Sequence, residues 1–340
     1  MGRTFQSVIK MMTPEISVIV PIYGVEKYIA RCAESLFNQT MTDNVEFLFI
    51  NDSTKDNSIE VLQNILSKYP RLKPQIKIIS HSENKGLPTA RNTGLAIAKG
   101  KYVVHVDGDD FAEPQMLEYL YKAVTENNAD FAWCDYYITF NNKKRVISQP
   151  FFATPMDAVR GMLRGSMKYN VWNKICRLSL YRDNNILFPE GYAMGEDLTM
   201  IMVSLHAQRC VYVNKILYNY VQNDGQMTAT FDEGKLASLR FNCDRLQHYI
   251  KSKFPDLGLE SENAALCQLM KWPFLLDGKL SSYRRWHEWF PESNRLIWQT
   301  KGVNFRIKFI EWCAAKHLLP VVWLHYLFVI KFYYGIVYRK

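Results

Sequence analysis

Short apolar runs alternate along the first 140 residues with segments whose apolar positions recur at helical spacing. In the first such segment, Val25, Ile29 and Leu36 share one helical face, which predicts a helix packed on a sheet. Apolar runs joined by helices are typical of parallel strands covered on both faces. We therefore predict an α/β fold with a mostly parallel sheet and helices on both faces. The predicted strands are Ile16–Val20, Val45–Ile50, Ile76–Ser80, Tyr102–Val106 and Asp130–Ile138.

The remaining chain changes its pattern twice. From Thr154 to about Tyr220 helical and strand patterns are mixed, and from about Glu233 onward the pattern is helical throughout. A chain of 340 residues is too long for one minimal domain. We therefore predict an α/β domain followed by a helical C-terminal region.

The net charge of +9 is unevenly distributed along the chain. Residues 295–340 contain eight Lys or Arg and one acid, whereas the first 230 residues contain 25 basic and 23 acidic side chains. A nucleic-acid groove would need positive charge on the main domain, so we expect no nucleic-acid partner. The basic C-terminal segment instead suggests an anchoring surface.

Cysteine usage and the N-terminus both indicate a cytoplasmic protein. Seven cysteines stand singly without a C-x-x-C pair, which is typical of reduced thiols in the cytosol. The sequence MGRTFQSVIKMMTPE has no apolar run followed by a small-residue cleavage site, so we expect no secretory signal.

Ligands of parallel α/β sheets bind beyond the carboxyl ends of the strands, which makes the strand-end loops the expected site. The loop after the fourth predicted strand carries Asp107, Asp109 and Asp110. Carboxylates this close repel each other unless a cation binds them, and their oxygens suit a hard divalent ion that bridges to phosphate. The alternative interpretation is a solvated Asp/Gly turn. The other polar loops are Pro21–Val25, Asn51–Asn57 and His81–Pro88.

Four strand-end motifs occur in order, namely VIVPIYG (18–24), INDSTKDNS (50–58), NKGLPTARNTGL (84–95) and HVDGDD (105–110). Together they resemble the donor-binding half of family 2 glycosyltransferases of the bacterial polysaccharide type. These enzymes have the GT-A fold, with a Rossmann-like sheet. The resemblance covers about residues 15–140 and continues more weakly to about residue 220.

The resemblance implies an inverting enzyme that transfers a sugar from a nucleotide-sugar to a hydroxyl of a saccharide or lipid-linked acceptor. We expect the nucleotide-sugar to be a UDP-sugar. It implies Mn²⁺ or Mg²⁺ as cofactor. It also implies the domain organisation, which is an extension at 1–14, a GT-A domain at 15–230 with donor (15–140) and acceptor (141–230) halves, and a helical region at 231–340.

By the same resemblance the first strand end and the acid after the second strand bind the base and ribose. An Asp at this position could accept the imide N–H of uracil, which would favour UDP over purine donors. Gly24 and Asn51 depart from the family pattern, and they leave open how the base is bound. The implied donor-binding residues are Pro21, Tyr23, Asp52, Gly86, Arg91 and Asp107, and the implied metal ligands are Asp109 and Asp107.

The segments VWNKICRLSLY (171–181) and FPEGYAMGEDLTM (188–200) resemble the acceptor side of the family. This resemblance implies Asp197 as the general base that takes the proton of the acceptor hydroxyl. Glu196 is the second choice, or simply a charge that stabilises a helix N-terminus. Trp172 and Lys174 are expected in the acceptor pocket, although Trp172 could equally be a core residue.

Six of the eight Trp lie in the C-terminal third among Arg and Lys, which suits the surface of an anionic membrane. The apolar run from Leu318 to Tyr338 is long enough to span a bilayer, but Pro320, His325 and Lys331 interrupt it. We therefore expect a helix that lies in the interface at the inner face of the cell membrane. The alternative is a helix packed on the protein.

Three other classes of protein fit the sequence less well. A nucleotidyltransferase would need a Gly-rich phosphate loop after the first strand, and PIYGVEKY has a single Gly. A dehydrogenase would need G-x-G-x-x-G at that place, which is missing. A non-catalytic sugar- or membrane-binding protein would have no need of both Asp109 and Asp197.

Overall fold

The computed structural model describes residues 13–140, 143–223 and 232–334, and its contacts divide the chain into two compact units. The first comprises Met1–Thr154 and Asn170–Asn242, and the second comprises Pro155–Tyr169 and Cys243–Lys340. The predicted borders at residues 14 and 230 lie beside or within segments outside the described residues. The predicted division into an extension, a GT-A domain and a helical region therefore stays a prediction.

Nine strands form one sheet in the described part of the first unit. All five predicted apolar runs form strands, and their ends shift by one or two residues at most. The strands are β1 (Ile16–Ile22), β2 (Val45–Asn51), β3 (Ile76–Ser80), β4 (Tyr102–His105), β5 (Phe111–Ala112), β6 (Phe131–Phe140), β7 (Lys143–Ile147), β8 (Lys174–Arg177) and β9 (Cys210–Val221).

The strand order is β3-β2-β1-β4-β8-β6-β9-β5, with β7 paired to β6. β1 is parallel to β2 and to β4, and β2 is parallel to β3. β8 runs antiparallel to both β4 and β6, so the sheet is parallel in its first half and mixed in its second. The predicted α/β fold class with a helical C-terminal region is confirmed.

Helices connect the strands and pack around the sheet. The first follows β1 and buries Ile29 and Leu36 of the predicted apolar face, together with Cys32. The helices up to residue 204 are α1 (Ile29–Phe37), α2 (Ser58–Leu66), α3 (Leu87–Ile97), α4 (Met116–Glu126), α5 (Pro155–Leu163, in the second unit), α6 (Leu178–Arg182) and α7 (Thr199–Ser204).

Helix α3 approaches β1 unusually closely at Gly94. A carbon added there would lie 2.4 Å from Cγ2 of Ile19, well inside van der Waals contact. The helix begins after Gly86, whose φ of +87° is easily adopted only without a side chain. These two glycines set where α3 starts and how deeply it packs.

The described part of the second unit is helical, as the sequence predicts. Its core includes Tyr283, Trp286 and Ile310, with other apolar side chains around them. Among the described residues, no helix combines the length and the hydropathy needed to cross a membrane. Residues 335–338 of the predicted interfacial segment lie outside the described residues. From residue 233 onward the helices are α8 (Glu233–Lys253), α9 (Glu260–Lys271), α10 (Leu280–Glu288), α11 (Phe305–Ala315), α12 (Leu319–His325) and a π-helix (Tyr326–Tyr334).

Replacing Gly94 with Ala should destabilise the protein by about 1–3 kcal/mol, because the added methyl group overlaps the Ile19 side chain. The control is Gly234→Ala in α8, where the nearest atom to an added carbon is Asp232 Oδ1 at 3.3 Å. Ala favours helix over Gly by about 1 kcal/mol, so the control should be neutral or stabilising. Urea unfolding midpoints measure both effects, and equal midpoints for the two variants would contradict the packing argument.

Candidate active site

The carboxyl ends of β3, β2, β1 and β4 lie side by side, because these four strands are parallel neighbours. Backbone hydrogen bonds continue past the strand ends. The Asp52 N–H donates to the Ile22 carbonyl at 3.0 Å, and the His81 N–H donates to the Asn51 carbonyl at 2.9 Å. The strand-end motifs therefore form one continuous edge, where ligands of such sheets bind.

Asp52 is buried at this edge and fixes the loop after β3. Its Oδ1 accepts from the Lys85 backbone N–H at 2.8 Å, and its Oδ2 accepts from the Gly86 N–H at 2.7 Å. His81 Nδ1 lies 2.7 Å from Asp52 Oδ1, and the His81 Nε2 lies 2.9 Å from Thr93 Oγ1. Sequence reasoning did not single out His81. Each carboxylate oxygen has two lone pairs, so Oδ2 can accept a further donor.

The loop after β1 is tied to the loop after β2. The Gly24 N–H donates to Thr54 Oγ1 at 2.9 Å, and the Glu26 N–H donates to Asp56 Oδ2 at 3.0 Å. Burial raises the pKa of Asp56, but its hydrogen bonds lower that pKa more, and the result is below the ordinary value. Tyr23 lies in the first of these loops and is exposed, so its ring is accessible to a ligand.

The acidic loop after β4 packs directly on β1. A carbon added at Gly108 would lie 2.9 Å from the Pro21 carbonyl oxygen, which leaves no room for a side chain. Asp107 is partly exposed, and its Oδ1 accepts from Arg91 Nη2 at 2.9 Å. Asp109 is also partly exposed. The structure therefore brings Pro21, Asp107 and Arg91 together.

Asp110 has a structural role that the sequence did not assign. It is fully buried, and its Oδ2 accepts from the Tyr218 hydroxyl at 2.9 Å while its Oδ1 accepts from the Val221 N–H at 2.7 Å. The same hydroxyl accepts from the Asp107 N–H at 3.1 Å. Burial, and then the charges of Asp109 and Asp107, raise the pKa of Asp110 well above its ordinary value. Through these two hydrogen bonds Asp110 anchors the acidic loop to β9.

Arg91 is the buried cation of this edge. Its Nη2 bonds Asp107, whereas its Nε and Nη1 are buried without a hydrogen-bond partner. Burial lowers the pKa of Arg91, but the charges of Asp107, Asp197 and Glu196 raise it above its ordinary value. The guanidinium therefore lies within electrostatic reach of both the acidic loop and the acidic pair.

Glu196 and Asp197 lie in the 3₁₀ turn Glu196–Leu198 that leads into α7. The Oδ1 of Asp197 is buried without a hydrogen-bond partner. Burial raises the pKa of Asp197 to about 6, although Arg91 opposes this shift. Burial and the charge of Asp197 raise the pKa of Glu196 well above its ordinary value. An acid that ionises near neutral pH suits general-base chemistry.

Two asparagines hold the segment before this acidic pair. Asn92 of α3 donates from Nδ2 to the Phe188 carbonyl at 3.0 Å and accepts at Oδ1 from the Phe188 N–H at 2.8 Å. Asn242 of α8 donates from Nδ2 to the carbonyls of Tyr192 and Met194, both at 3.0 Å. Helices far apart in sequence therefore fix the position of the acids.

An aromatic pair beside this segment was missed by sequence reasoning. The rings of Tyr192 and Phe241 stack with centroids 3.7 Å apart and planes 10° apart, and the residues are 37% and 38% exposed. A carbon added at Gly195 would lie 3.0 Å from Leu239 Cδ1, so this part of α8 borders the acidic pair. Tyr192 stands between two glycines in the acceptor motif, but no spacing rule connects that motif to Phe241.

The two residues predicted for the acceptor pocket are buried. Lys174 donates from Nζ to the Asn170 carbonyl at 2.7 Å and to Asn173 Oδ1 at 2.8 Å. Burial lowers the pKa of Lys174 to about 8. Trp172 stacks on Tyr218, with ring centroids 4.5 Å apart. Both side chains support the site from within, and their contact with an acceptor stays a prediction.

Asp109 and Asp107 are the candidate ligands of a divalent ion. In the part of the chain that the structure describes, no group of three or more His, Cys, Asp or Glu side chains is arranged to hold a metal. Mg²⁺ and Mn²⁺ prefer oxygen ligands, and nucleotide sites commonly supply one or two carboxylates and leave the other positions to phosphate and water. Two partly exposed carboxylates fit an ion that binds together with a diphosphate.

Solved structures resemble the fold over most of its length. The structure of S. aureus TarS 1–349 in complex with UDP-GlcNAc has a TM-score of 0.72 and 21% identity, and the match covers 92% of this chain and 91% of that chain. The sheet with the helices around it therefore has a GT-A-type fold. Residues 17–187 match the model of Glycosyl transferase family 2, and the chain belongs to this family.

Two relatives show how far the sequence likeness extends. Uncharacterized glycosyltransferase EpsJ of Bacillus subtilis (strain 168) is 30% identical over 228 residues, which is 64% of this chain and 64% of EpsJ. Glycosyltransferase GlyG of Streptococcus pneumoniae serotype 4 is 31% identical over 235 residues, or 64% of this chain and 74% of GlyG. The match with EpsJ thus spans less than two thirds of that relative.

Asp52→Ala should destabilise the protein by about 1–3 kcal/mol, because the donors of Lys85, Gly86 and His81 lose their acceptor. Asp43→Ala, at an exposed position, is the control and should leave the urea midpoint unchanged. An Asp52 variant as stable as the control would show that the carboxylate does not organise the loop.

Proposed function

We propose that this protein is an inverting glycosyltransferase that moves a sugar from a UDP-sugar to a hydroxyl of a saccharide or lipid-linked acceptor in bacterial cell-surface polysaccharide synthesis. The main support for this proposal is the position of Arg91. Its guanidinium forms an ion pair with Asp107 and interacts electrostatically with Asp197 and Glu196. One buried cation thus connects the donor-side acids with the candidate base. This arrangement supports a direct displacement, in which the acceptor hydroxyl attacks as the diphosphate leaves.

We assign the nucleotide to the edge formed by the first two strand-end loops. TarS, which has the same fold, has been solved with UDP-GlcNAc, and this supports a UDP-sugar donor. Asp52 Oδ2 accepts one backbone N–H from Gly86 and can accept the uracil imide N–H as well. Uracil presents this N–H between its two carbonyl groups, so the contact is compatible with a UDP-sugar donor. The remaining donor contacts are assigned to Pro21, Tyr23, Gly86 and Arg91.

We assign a Mn²⁺ or Mg²⁺ ion to Asp109 and Asp107. When bound, the ion would neutralise the charge that develops on the leaving diphosphate. Arg91 donates to Oδ1 of Asp107 and thereby orients this carboxylate. Asp110 accepts a hydrogen bond from Tyr218 and keeps the acidic loop in position. This role does not require Asp110 to contact the donor.

We assign the general base to Asp197. Its carboxylate is partly exposed and would accept the proton of the acceptor hydroxyl, and its buried Oδ1 has no hydrogen-bond partner. Its pKa of about 6 lies close to the operating pH, where a base is most effective. Glu196 is the second choice, because its pKa lies well above the ordinary value and the acid is protonated more readily.

We assign the acceptor to the surface beside this acid. The stacked rings of Tyr192 and Phe241 offer an open apolar face, which suits the C–H face of a sugar ring. Trp172 and Lys174 would act on the acceptor through the residues that they support. A lipid-linked acceptor would also place the enzyme at a membrane. We therefore propose a cytoplasmic protein held peripherally at the inner face of the cell membrane by the region 231–340.

Turnover of UDP-sugars with Mn²⁺ or Mg²⁺ tests the mechanism. Asp197→Asn should lower kcat by about 10²–10⁴-fold and leave UDP binding intact, because only the proton acceptor is removed. Asp109→Asn should weaken metal-dependent UDP binding, seen as a lost thermal shift with UDP and Mn²⁺.

In the wild type, kcat/KM should fall as the pH falls below about 6, since protonation of Asp197 removes the base.

The control for both variants is Asp183→Asn, at an exposed position, which should be fully active. Full activity of both Asp109→Asn and Asp197→Asn would overturn the mechanism. Donor binding without transfer to any acceptor would instead favour a non-catalytic sugar-binding protein.

Tyr192→Ala should raise the KM for the acceptor by about tenfold, since an aromatic stacking contact is worth about 1 kcal/mol or somewhat more. The KM for the donor should not change. The matched control is Tyr119→Ala, because Tyr119 is 36% exposed and Tyr192 is 37% exposed. Initial-rate kinetics with both substrates varied separate the two constants, and an unchanged acceptor KM would remove the aromatic pair from the acceptor site.

A further inference from the structure

Four aromatic side chains of the second unit form a connected group at its surface, here called the aromatic patch. Trp298 and Phe305 have ring centroids 5.8 Å apart, Phe305 and Phe309 are 6.5 Å apart, and Phe309 and Trp312 are 6.3 Å apart. Trp298 is 47% exposed, Phe305 72% and Phe309 39%. So much contiguous exposed aromatic surface marks an interaction site.

Three of the four patch residues, Trp298, Phe305 and Phe309, are exposed outside the core of the second unit, whereas Trp312 is partly buried and packs against that core. Phe305, Phe309 and Trp312 follow each other at helical spacing along one face of α11 (Phe305–Ala315). The other face of the same helix carries buried residues of the core, among them Ile310 and Cys313. Helix α11 thus has one apolar face turned inward and a second, aromatic face on which Phe305 and Phe309 are exposed.

The charged residues of the segment that carries the patch are almost all positive. Lys301 and Arg306 are exposed beside it, and Lys308 donates from Nζ to the carbonyls of Trp298, at 3.4 Å, and Thr300. In the described residues from 295 onward the one acid is Glu311, which is buried. Burial raises the pKa of Glu311 to about 8, so it does not cancel the positive charge at neutral pH.

We infer that the aromatic patch and its basic rim bind the surface of a membrane rich in anionic lipid. Aromatic side chains insert at the level of the lipid headgroups, and each Lys or Arg near an anionic surface adds attraction. A nucleic acid would match the charge but would not need a contiguous apolar face, and a second copy of this chain would carry the same repelling charge. The inference rests on the membrane association included in the proposed function, and it names the surface and the lipid charge.

The continuation of the second unit has the same character. Exposed apolar side chains recur along α12 and the π-helix, with Lys316 and Lys331 exposed among them. These side chains can enlarge the contact with a lipid surface. The exposed apolar residues are Leu318, Trp323, Leu324, Phe328 and Phe332.

Co-sedimentation of the full chain with lipid vesicles tests the inference. The wild type should bind vesicles of phosphatidylcholine mixed with phosphatidylglycerol, and should bind phosphatidylcholine alone far more weakly. Phe305→Ala combined with Phe309→Ala should weaken binding to the mixed vesicles by about tenfold or more, because two aromatic contacts with the lipid are lost. Lys301→Gln combined with Arg306→Gln should weaken binding by about tenfold or more at low salt, and added salt should reduce this difference.

The matched control is Phe151→Ala, because Phe151 is 71% exposed in the first unit and Phe305 is 72% exposed. This control should bind vesicles like the wild type. Equal binding of the Phe305/Phe309 double variant and the wild type would overturn the inference, as would equal binding to charged and uncharged vesicles. So would a wild-type dimer, measured by light scattering, that the double variant converts to monomers.

Vesicle binding and sugar transfer are measured separately, so that failure of one is not mistaken for failure of the other. The patch variants should keep wild-type transfer to a water-soluble acceptor, because the changed residues lie outside the candidate active site. A protein that binds anionic vesicles but transfers no sugar would contradict the proposed function and would still support the aromatic patch as a membrane-binding surface.

Discussion

The candidate site depends on one electrostatic constraint, which is that Arg91 is the buried cation among the charges of Asp107, Asp197 and Glu196. Carboxylates buried close together cannot all ionise without a positive partner. The guanidinium bonds Asp107 directly and opposes the rise that burial causes in the pKa values of the other two acids. Its presence lets a donor-side acid and a candidate base operate in one place.

The position of Arg91 follows from the way α3 is held. At its N-terminus the Gly86 N–H is bound by Asp52, and near its middle Gly94 lets the helix settle on β1. The next residue after the arginine, Asn92, binds the segment that leads to the acidic pair. One helix therefore connects the proposed nucleotide side of the edge with the proposed acceptor side, and a displacement of α3 would disturb both.

The donor half could be predicted from sequence because its parallel strands are continuous apolar runs, and their loops must meet at one edge. β8 could not, since it is only four residues long and begins with the buried Lys174, and its antiparallel pairing depends on distant segments. Asp110 looks like Asp109 in the sequence. A hydrogen bond from Tyr218, 108 residues away, gives it a structural role instead. The stacking of Phe241 on Tyr192 could not be predicted either, because the two residues are far apart in the sequence.

The order in which the acidic pair ionises decides which member can act as the proposed base. Burial raises the pKa of both acids, but the charge of Asp197 raises that of Glu196 further, whereas Asp197 ionises at about 6. Asp197 therefore loses its proton before Glu196 does, and its charge then holds the pKa of Glu196 well above the ordinary value. A protonated carboxyl donates a hydrogen bond and accepts no proton. Electrostatics thus selects the same residue that carries the unpartnered oxygen, so the proposed proton transfer needs only one base.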